Sequence, residues 1–199
     1  MKKIISIIFA WVCITVSAQT YNDARMFDAK GAISSIDYRT QAFLPTSILH
    51  FSEDGAISKI LQQEALNDSV IIKTDMPIAE IVRNESNYPV AIKFKTMVPV
   101  EFVVKIKWHN DVAQEFQYKL IYDTKYVKVT NDEGVTTALK LYADMGKSDD
   151  LVYGGECQFH DYEYDSHGNW IQRTATIYDE NGNEGESYTE ERIITYYQQ

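Results

Sequence analysis

One stretch of the sequence has the residue types of a thiol nucleophile and its base. Cys157 is followed by His160 and Asp161, and a cysteine becomes nucleophilic when a base or cation nearby favours its thiolate. On an extended strand, however, residues three apart point to opposite faces. The spacing therefore predicts that Cys157 and His160 diverge and that Cys157 packs as a small hydrophobic residue.

The spacing of the possible ligand residues gives little support for a metal site. The chain has no H-x-x-H or C-x-x-C pair, and its four histidines are His50, His109, His160 and His167. A partial calcium-loop spacing is present at Asp179, Asn181, Asn183 and Glu190. Its glycine stands at position 7 instead of 6, and no helical pattern flanks it. We predict no metal site here and interpret the Asp179 segment as a hairpin turn.

The sequence also lacks the common catalytic signatures. It has no phosphate-binding glycine loop, no G-x-S-x-G elbow and no H-E-x-x-H motif. Acidic residues are abundant, so a hydrolase with a carboxylate pair stays open as an alternative, although nothing in the sequence selects a pair. We predict a protein that is not an enzyme and has no cofactor.

Aromatic residues are the strongest candidates for binding. Eleven of the 14 tyrosines lie from Tyr118 onward, and exposed tyrosine and tryptophan offer a ligand flat apolar area with a polar group at the edge. The candidate ligand-binding residues are Tyr162, Tyr164, Trp170 and Tyr178. The alternative is that these rings fill a thin sheet and form cross-strand pairs.

Composition limits the classes of partner. The chain has 199 residues, 19 basic against 29 acidic, and a net charge of −10. An excess of acid disfavours nucleic acid, whose phosphates need Lys and Arg, and it disfavours docking on anionic lipid. Hydrophobic residues make up 45% of the chain, which is ordinary for one globular domain of this length.

The N-terminus predicts export. Lys2 and Lys3 precede an apolar run over 4–16, and Val16-Ser17-Ala18 closes it with small residues. This pattern predicts a signal peptide over 1–18, because the run is too short to span a bilayer. The alternatives are a buried N-terminal element and a lipoprotein signal acylated at Cys13, which the bulky residues before that cysteine disfavour.

Cleavage after residue 18 would leave a mature domain over 19–199. That domain would carry 17 basic and 29 acidic residues, a net charge of −12, and Cys157 as its one cysteine. It could form no internal disulfide and would depend on its core. No later segment is long and apolar enough to be a transmembrane helix.

Period-two alternation dominates the mature chain. Apolar residues recur at even spacing from Val100 to Trp108, and again from Phe116 to Tyr122, which is typical of strands with one buried face. The Tyr-rich stretches at 158–164, 170–178 and 187–197 also predict strands. Residues 56–66 fit a short helix or a strand equally well.

Turn residues punctuate these strands. Gly, Asn and Asp cluster at 53–55, 131–134, 166–169 and 180–183, where they supply the positive φ values of tight hairpins. We predict an all-β antiparallel meander of about ten to thirteen strands. The sheet would be twisted or partly rolled, with at most one short helix and a weak seam near 143–155. An open sheet edge would allow a homodimer.

A degenerate repeat underlies the turns. Its frame is an aromatic, usually an Asp, two variable residues, a Gly, one further residue and often an apolar residue. The copies are at 27–33, 51–57, 164–170 and, less completely, 178–183. Each copy reads as one hairpin unit with its Gly in the left-handed position.

The segment Tyr162-Glu163-Tyr164-Asp165-Ser166-His167-Gly168-Asn169-Trp170 resembles the core of the YD repeat of Rhs-type and teneurin-type proteins. It is also similar to YD-like hairpin repeats of small secreted Bacteroidetes proteins, and the signal ending Val-Ser-Ala resembles those of exported proteins of that phylum. The resemblance is good over 162–183 and weaker near 27–33 and 51–57. It implies an antiparallel meander in a Gram-negative envelope, periplasmic or extracellular, and carries over no catalytic residue.

These patterns favour two non-enzymatic functions. The first is an exported binding protein that holds a protein, peptide or glycan on its Tyr/Trp-rich face. The second is a periplasmic carrier or chaperone-like protein with an apolar concave face. That face would comprise Phe102, Val104, Ile106, Trp108, Phe116 and Leu120.

Overall fold

The computed structural model describes residues 20–40, 46–67, 70–96, 102–119, 123–144 and 150–198. The predicted signal peptide, Cys13 and Leu120 lie outside these residues. Within them the chain forms one short 3-10 helix, η1 (Asp23–Phe27), and thirteen strands. The strands are β1 (Ile33–Thr40), β2 (Ser47–Phe51), β3 (Ile57–Asn67), β4 (Val70–Asp75), β5 (Ile78–Arg83), β6 (Pro89–Phe94), β7 (Phe102–His109), β8 (Val112–Lys119), β9 (Asp123–Thr130), β10 (Thr136–Ala143), β11 (Val152–Tyr164), β12 (Trp170–Tyr178) and β13 (Glu184–Tyr196).

All thirteen strands belong to one antiparallel sheet, which confirms the predicted fold class. The order is β4-β3-β2-β1-β13-β12-β11-β10-β9-β8-β7-β6-β5. The ambiguous segment at 56–66 is strand β3. The predicted seam near 143–155 overlaps the end of β10 and the start of β11, which are hydrogen-bonded neighbours, so the sheet continues across it.

The sheet is partly rolled. β1 and β7 are seven places apart in the strand order, which in a flat sheet would separate them by roughly 34 Å. Ile36 of β1 and Ile106 of β7 nevertheless belong to one buried cluster, together with Ala24 and Met26 of η1. The sheet therefore curls around the N-terminal segment at 20–32, and we call the side facing that segment the inner face.

The two edge strands follow one another in the chain, with Met76 and Pro77 between them. The Met76 amide donates to the Ile60 carbonyl at 2.9 Å, and the Lys95 amide donates to the Pro77 carbonyl at 2.8 Å. The segment 70–83 thus pairs first with β3 and then with β6. Pro77 lacks an amide hydrogen and stands where the chain changes partner.

Asp23 bridges the two sides of this junction. Its carboxylate accepts two hydrogen bonds from Arg83, at the end of β5, both at 2.7 Å. It also accepts the amide of Ile57, the first residue of β3, at 2.8 Å. Asp23 is fully buried, and the Tyr21 ring lies over the Arg83 guanidinium at 4.1 Å. The N-terminal segment therefore joins β3 to β5 where the two strands do not pair.

The predicted hairpin frame forms real hairpins at three of its four copies. Gly55, Gly168 and Gly182 all have positive φ, at the β2–β3, β11–β12 and β12–β13 turns. The Asp165 carboxylate accepts the amides of residues 167 and 169, and Asp179 repeats this pattern. The copy at 27–33 is different: it leads from η1 into β1 and forms no hairpin.

Candidate functional site

The four predicted binding residues do not share one surface. Trp170 is 4% exposed and lies in the core, whereas Tyr164 is 48% exposed. Tyr162 packs against both buried clusters on the inner face, because Asp161 adopts a φ of 52° and the pairing of β11 shifts there. Tyr178 lies on the outer face opposite Glu156. Contrary to our expectation, then, Trp170 is not available to a ligand at the surface.

Trp170 instead contacts two buried guanidinium groups. The Cζ atom of Arg192 is 3.8 Å from the ring centroid and that of Arg173 is 4.1 Å away. Such contacts are strongest where water is excluded. The indole Nε1 is buried and has no hydrogen-bond partner among the described residues. This ring helps to hold buried cations in place.

These cations belong to a polar layer inside the roll. Arg173 forms a buried ion pair with Glu190, with N–O distances of 2.7 and 2.6 Å. The Tyr162 hydroxyl donates to the Thr136 carbonyl, and burial raises the pKa of Tyr162 to about 12. Both the ion pair and the neutral phenol thus have partners within the protein, as buried polar groups require.

The N-terminal segment binds the same layer. Lys128 of β9 donates to the Asp28 carboxylate and to the Met26 carbonyl, both at 2.7 Å. Arg192 of β13 donates to the carbonyls of Phe27 and Asp28. Burial alone would raise the pKa of Asp28, but the Lys128 ammonium outweighs it and the pKa is lowered. Charged and polar contacts from β9 and β13 therefore hold the C-terminal end of η1.

The apolar face expected for a carrier is covered from within. Its described residues on β7 and β8 pack in the cluster that contains Ala24 and Met26 of η1. Val104 and Ile106 are buried to 7% and 3% exposure. The chain's own N-terminal segment thus occupies the position that a lipid or an exported chain would take.

The outer face carries a second group of tyrosines. Tyr142 of β10 is paired with Lys125 of β9 and with Tyr153 of β11. The Tyr142 and Tyr153 rings meet edge to face at 5.6 Å, and the Lys125 ammonium lies 4.6 Å from the Tyr142 centroid. Alternation places Tyr142 on the face opposite buried Leu139. We call Lys125, Tyr142, Tyr153, Glu156, Tyr178 and Glu184 the outer tyrosine surface.

Carboxylates accompany these tyrosines. Glu156 and Glu184 are both register partners of Tyr178. The pKa of Tyr178 is raised by desolvation and then by Glu184, and that of Tyr153 by desolvation and then by Glu156. Lys140 lies 3.9 Å from Glu156. The surface therefore combines partly exposed rings with hydrogen-bonding groups of both charges.

Sequence reasoning found only Tyr178 of this surface. Tyr142 directly precedes the segment near 143–155 that we expected to be a seam, and Tyr153 lies within it. A hairpin in that segment would have placed the two rings opposite each other. The missing information was the strand pairing, because the loop residues gave no turn signal comparable to Asn-Gly.

The candidate nucleophile Cys157 and its candidate base His160 lie apart in the structure. Cys157 is fully buried, and burial raises the pKa of its thiol to about 12. His160 contacts Asp161 at 2.8 Å and Thr176 at 3.2 Å, away from the Cys157 cluster. The described ranges contain no group of three or more His, Cys, Asp or Glu residues able to hold a metal ion. They also contain no helix that is long and apolar enough to cross a membrane.

The fold and site together define an all-β protein whose rolled sheet encloses its own N-terminal segment. No protein-family model matches the chain, and no curated protein is significantly similar to it. Among solved structures, the chain is similar to a porin-like protein from Bacteroides uniformis, with a TM-score of 0.45 and 9% sequence identity. That match covers 84% of this chain and 97% of the other.

Proposed function

We propose that this chain is an exported, non-enzymatic binding protein that uses the outer tyrosine surface to hold a peptide or glycan. The observation that carries the proposal is the grouping of Tyr142, Tyr153 and Tyr178 on one face with charged neighbours. Flat rings with polar edges suit sugars and peptides, because one side chain supplies apolar area and a hydrogen bond together.

The packing supports the outer face over the interior as the binding region. The described apolar side chains of β7 and β8 pack in the core, and Ala24, Met26 and Ala29 of the N-terminal segment belong to the same cluster. Export rests on the signal peptide predicted over 1–18 and on the YD-like hairpin frame, both of which belong to this proposal. Lys125 and Lys140 at the outer tyrosine surface are balanced by Glu156 and Glu184, so the surface has no excess of positive charge and is a poor match for nucleic acid.

The binding test uses the processed chain on peptide and glycan arrays. We expect Tyr142→Ala and Tyr178→Ala to weaken binding to any array member that binds, by roughly fivefold or more for each ring removed. Tyr164→Ala is the matched control, since this tyrosine is exposed but lies away from the surface. Circular dichroism verifies that each variant folds.

Two results would overturn the proposal. One is the absence of binding to every array member. The other is equal binding by the Tyr142 and Tyr178 variants and the parent chain. Loss of binding in Tyr164→Ala alone is a case of the second result and would place the site beside the β11–β12 turn instead.

A further inference from the structure

β4 is an edge strand with unusually exposed apolar side chains. It lies at one end of the strand order and pairs with β3. Every residue from 71 to 75 is exposed, with Ile71 at 58% and Ile72 at 41%. An exposed apolar edge whose residues include no proline is a template for another strand. This strand is distinct from the outer tyrosine surface on β9–β13.

The register shows which backbone groups of β4 face outward. The Met76 amide donates to the Ile60 carbonyl, and Gln62 is paired with Thr74 in the same register. Hydrogen-bonded and non-hydrogen-bonded pairs alternate along an antiparallel ladder. Ile71, Lys73 and Asp75 therefore point their N–H and C=O groups away from β3, toward the free edge.

The charges along this edge complement a second copy of themselves. Lys73 and Asp75 are two residues apart, so both side chains lie on the outer face. If two β4 strands pair antiparallel about a two-fold axis at Thr74, each Lys73 lies opposite an Asp75 of the other copy. An axis at Lys73 would instead bring the two lysines together, which is unfavourable.

We propose that β4 pairs with β4 of a second copy of this chain, with the two-fold axis at Thr74. The pairing satisfies the outward groups of Lys73 and Asp75 on both copies and forms two cross-strand ion pairs. It also places Ile72 opposite Met76 of the second copy on the inner face. Asp75 would then lie between Lys73 of the second copy and Lys59 of its own chain, now 3.7 Å away.

The dimer is expected to be weak. A stable interface usually buries about 800 Å² on each partner, and one short strand with its flanking side chains buries less. Dimerisation is therefore measured over a concentration series, by sedimentation equilibrium of the processed chain from about 10 µM to 1 mM.

Charge reversal tests the register. Lys73→Asp places two pairs of acidic residues in opposition, and Asp75→Lys places two pairs of lysines in opposition. Each single change should weaken dimerisation roughly tenfold. The double change Lys73→Asp with Asp75→Lys restores opposite charges across the interface, although position 75 then repels Lys59 of its own chain, so its dimerisation should recover at least about fivefold over either single change.

A second variant tests the backbone. Lys73→Pro removes an amide that faces the free edge but leaves the hydrogen bonds to β3 in place, so it should abolish dimerisation while far-UV circular dichroism stays unchanged. A chain that is monomeric at 1 mM refutes the proposal. So does a dimer insensitive to Lys73→Pro, or one whose double variant fails to recover. Pairing of β4 with a different protein's strand in place of a second copy would also refute it.

Discussion

The contact of Asp23 with Arg83 and Ile57 predicts that one buried carboxylate holds β3 and the edge strand β5 together. Asp23→Asn keeps the shape of the side chain but removes its charge. Arg83, whose side chain is only 16% exposed, then loses its counter-ion, and the carboxamide introduced at this position cannot accept all three hydrogen bonds. Breaking a buried pair by removing one partner costs about 3–5 kcal/mol.

A matched control lies in the same segment. Arg25 and Asp111 form an exposed pair at 3.7 Å, with side chains 42% and 66% exposed. Asp111→Asn removes the same charge and keeps a residue type that tolerates the positive φ at this position. Because exposed pairs contribute little, we expect a loss below about 0.5 kcal/mol.

Urea unfolding separates the two variants. With a slope of about 2 kcal/mol/M for a domain of this size, the midpoint of Asp23→Asn should fall by about 1.5–2.5 M. Hydrogen exchange at the Ile57 amide should accelerate before exchange in the central strands does, because this amide loses its acceptor. If Asp23→Asn shifts the midpoint no more than Asp111→Asn, the edge-bridging role of Asp23 is refuted.

Further outcomes follow from the interior and the turns. Gly55→Ala should lower the free energy of unfolding by about 2 kcal/mol or more, because its Cβ would lie 2.2 Å from the Tyr21 carbonyl oxygen at a φ of 84°. Gly134→Ala is the control: this glycine has a φ of 79° and open space around it, so the change should cost about 1 kcal/mol in the same urea assay. The lowered pKa of Asp28 stabilises the fold above the unfolded value near pH 4. This contribution is lost as the pH falls toward the pKa of Asp28 in the folded protein. The free energies of unfolding of the parent and of Asp28→Asn should therefore converge in acid, and a difference that grows as the pH falls would contradict this reasoning. Cys157, with a thiol pKa of about 12, should resist maleimide at pH 7 until urea unfolds the chain, as peptide mapping would show.

Much of the fold could be predicted because its signals are local. Alternation marked β7 and β8, and the Asp and Gly positions at 165–168 and 179–182 marked hairpins through side-chain caps and positive φ. The turn at 84–88 was missed, although Asn84 caps it in the same way. There Asn87 adopts the positive φ that glycine adopts in the other turns. The repeat frame requires a glycine at this position, so it did not identify the turn.

The candidate site was harder to predict because it depends on register. Tyr162, Tyr164 and Trp170 stay together, since Tyr162 stacks on Tyr164 at 5.7 Å and Tyr164 is the register partner of Trp170. The irregularity at Asp161 turns Tyr162 to the inner face, whereas Tyr178 lies on the outer face. A one-residue shift moves a side chain to the other face of a sheet, and no local pattern announces it. The interior position of residues 20–32 was unforeseen for a related reason: its contacts reach β5, β9 and β13, which are far away in sequence.

The charges buried in the interior also affect how much of the net charge lies on the exterior. Arg83, Lys128, Arg173 and Arg192 face inward, while the acidic residues enclosed with them are Asp23, Asp28 and Glu190. These seven residues sum to one positive charge, so the remainder of the chain carries −11, or −13 after the predicted cleavage that leaves a net charge of −12. Lys125 and the neighbouring Lys140 therefore lie on an exterior in which acidic residues are in excess. A neutral glycan or a peptide with basic residues avoids repulsion from that exterior, whereas an acidic ligand approaches against it at low salt.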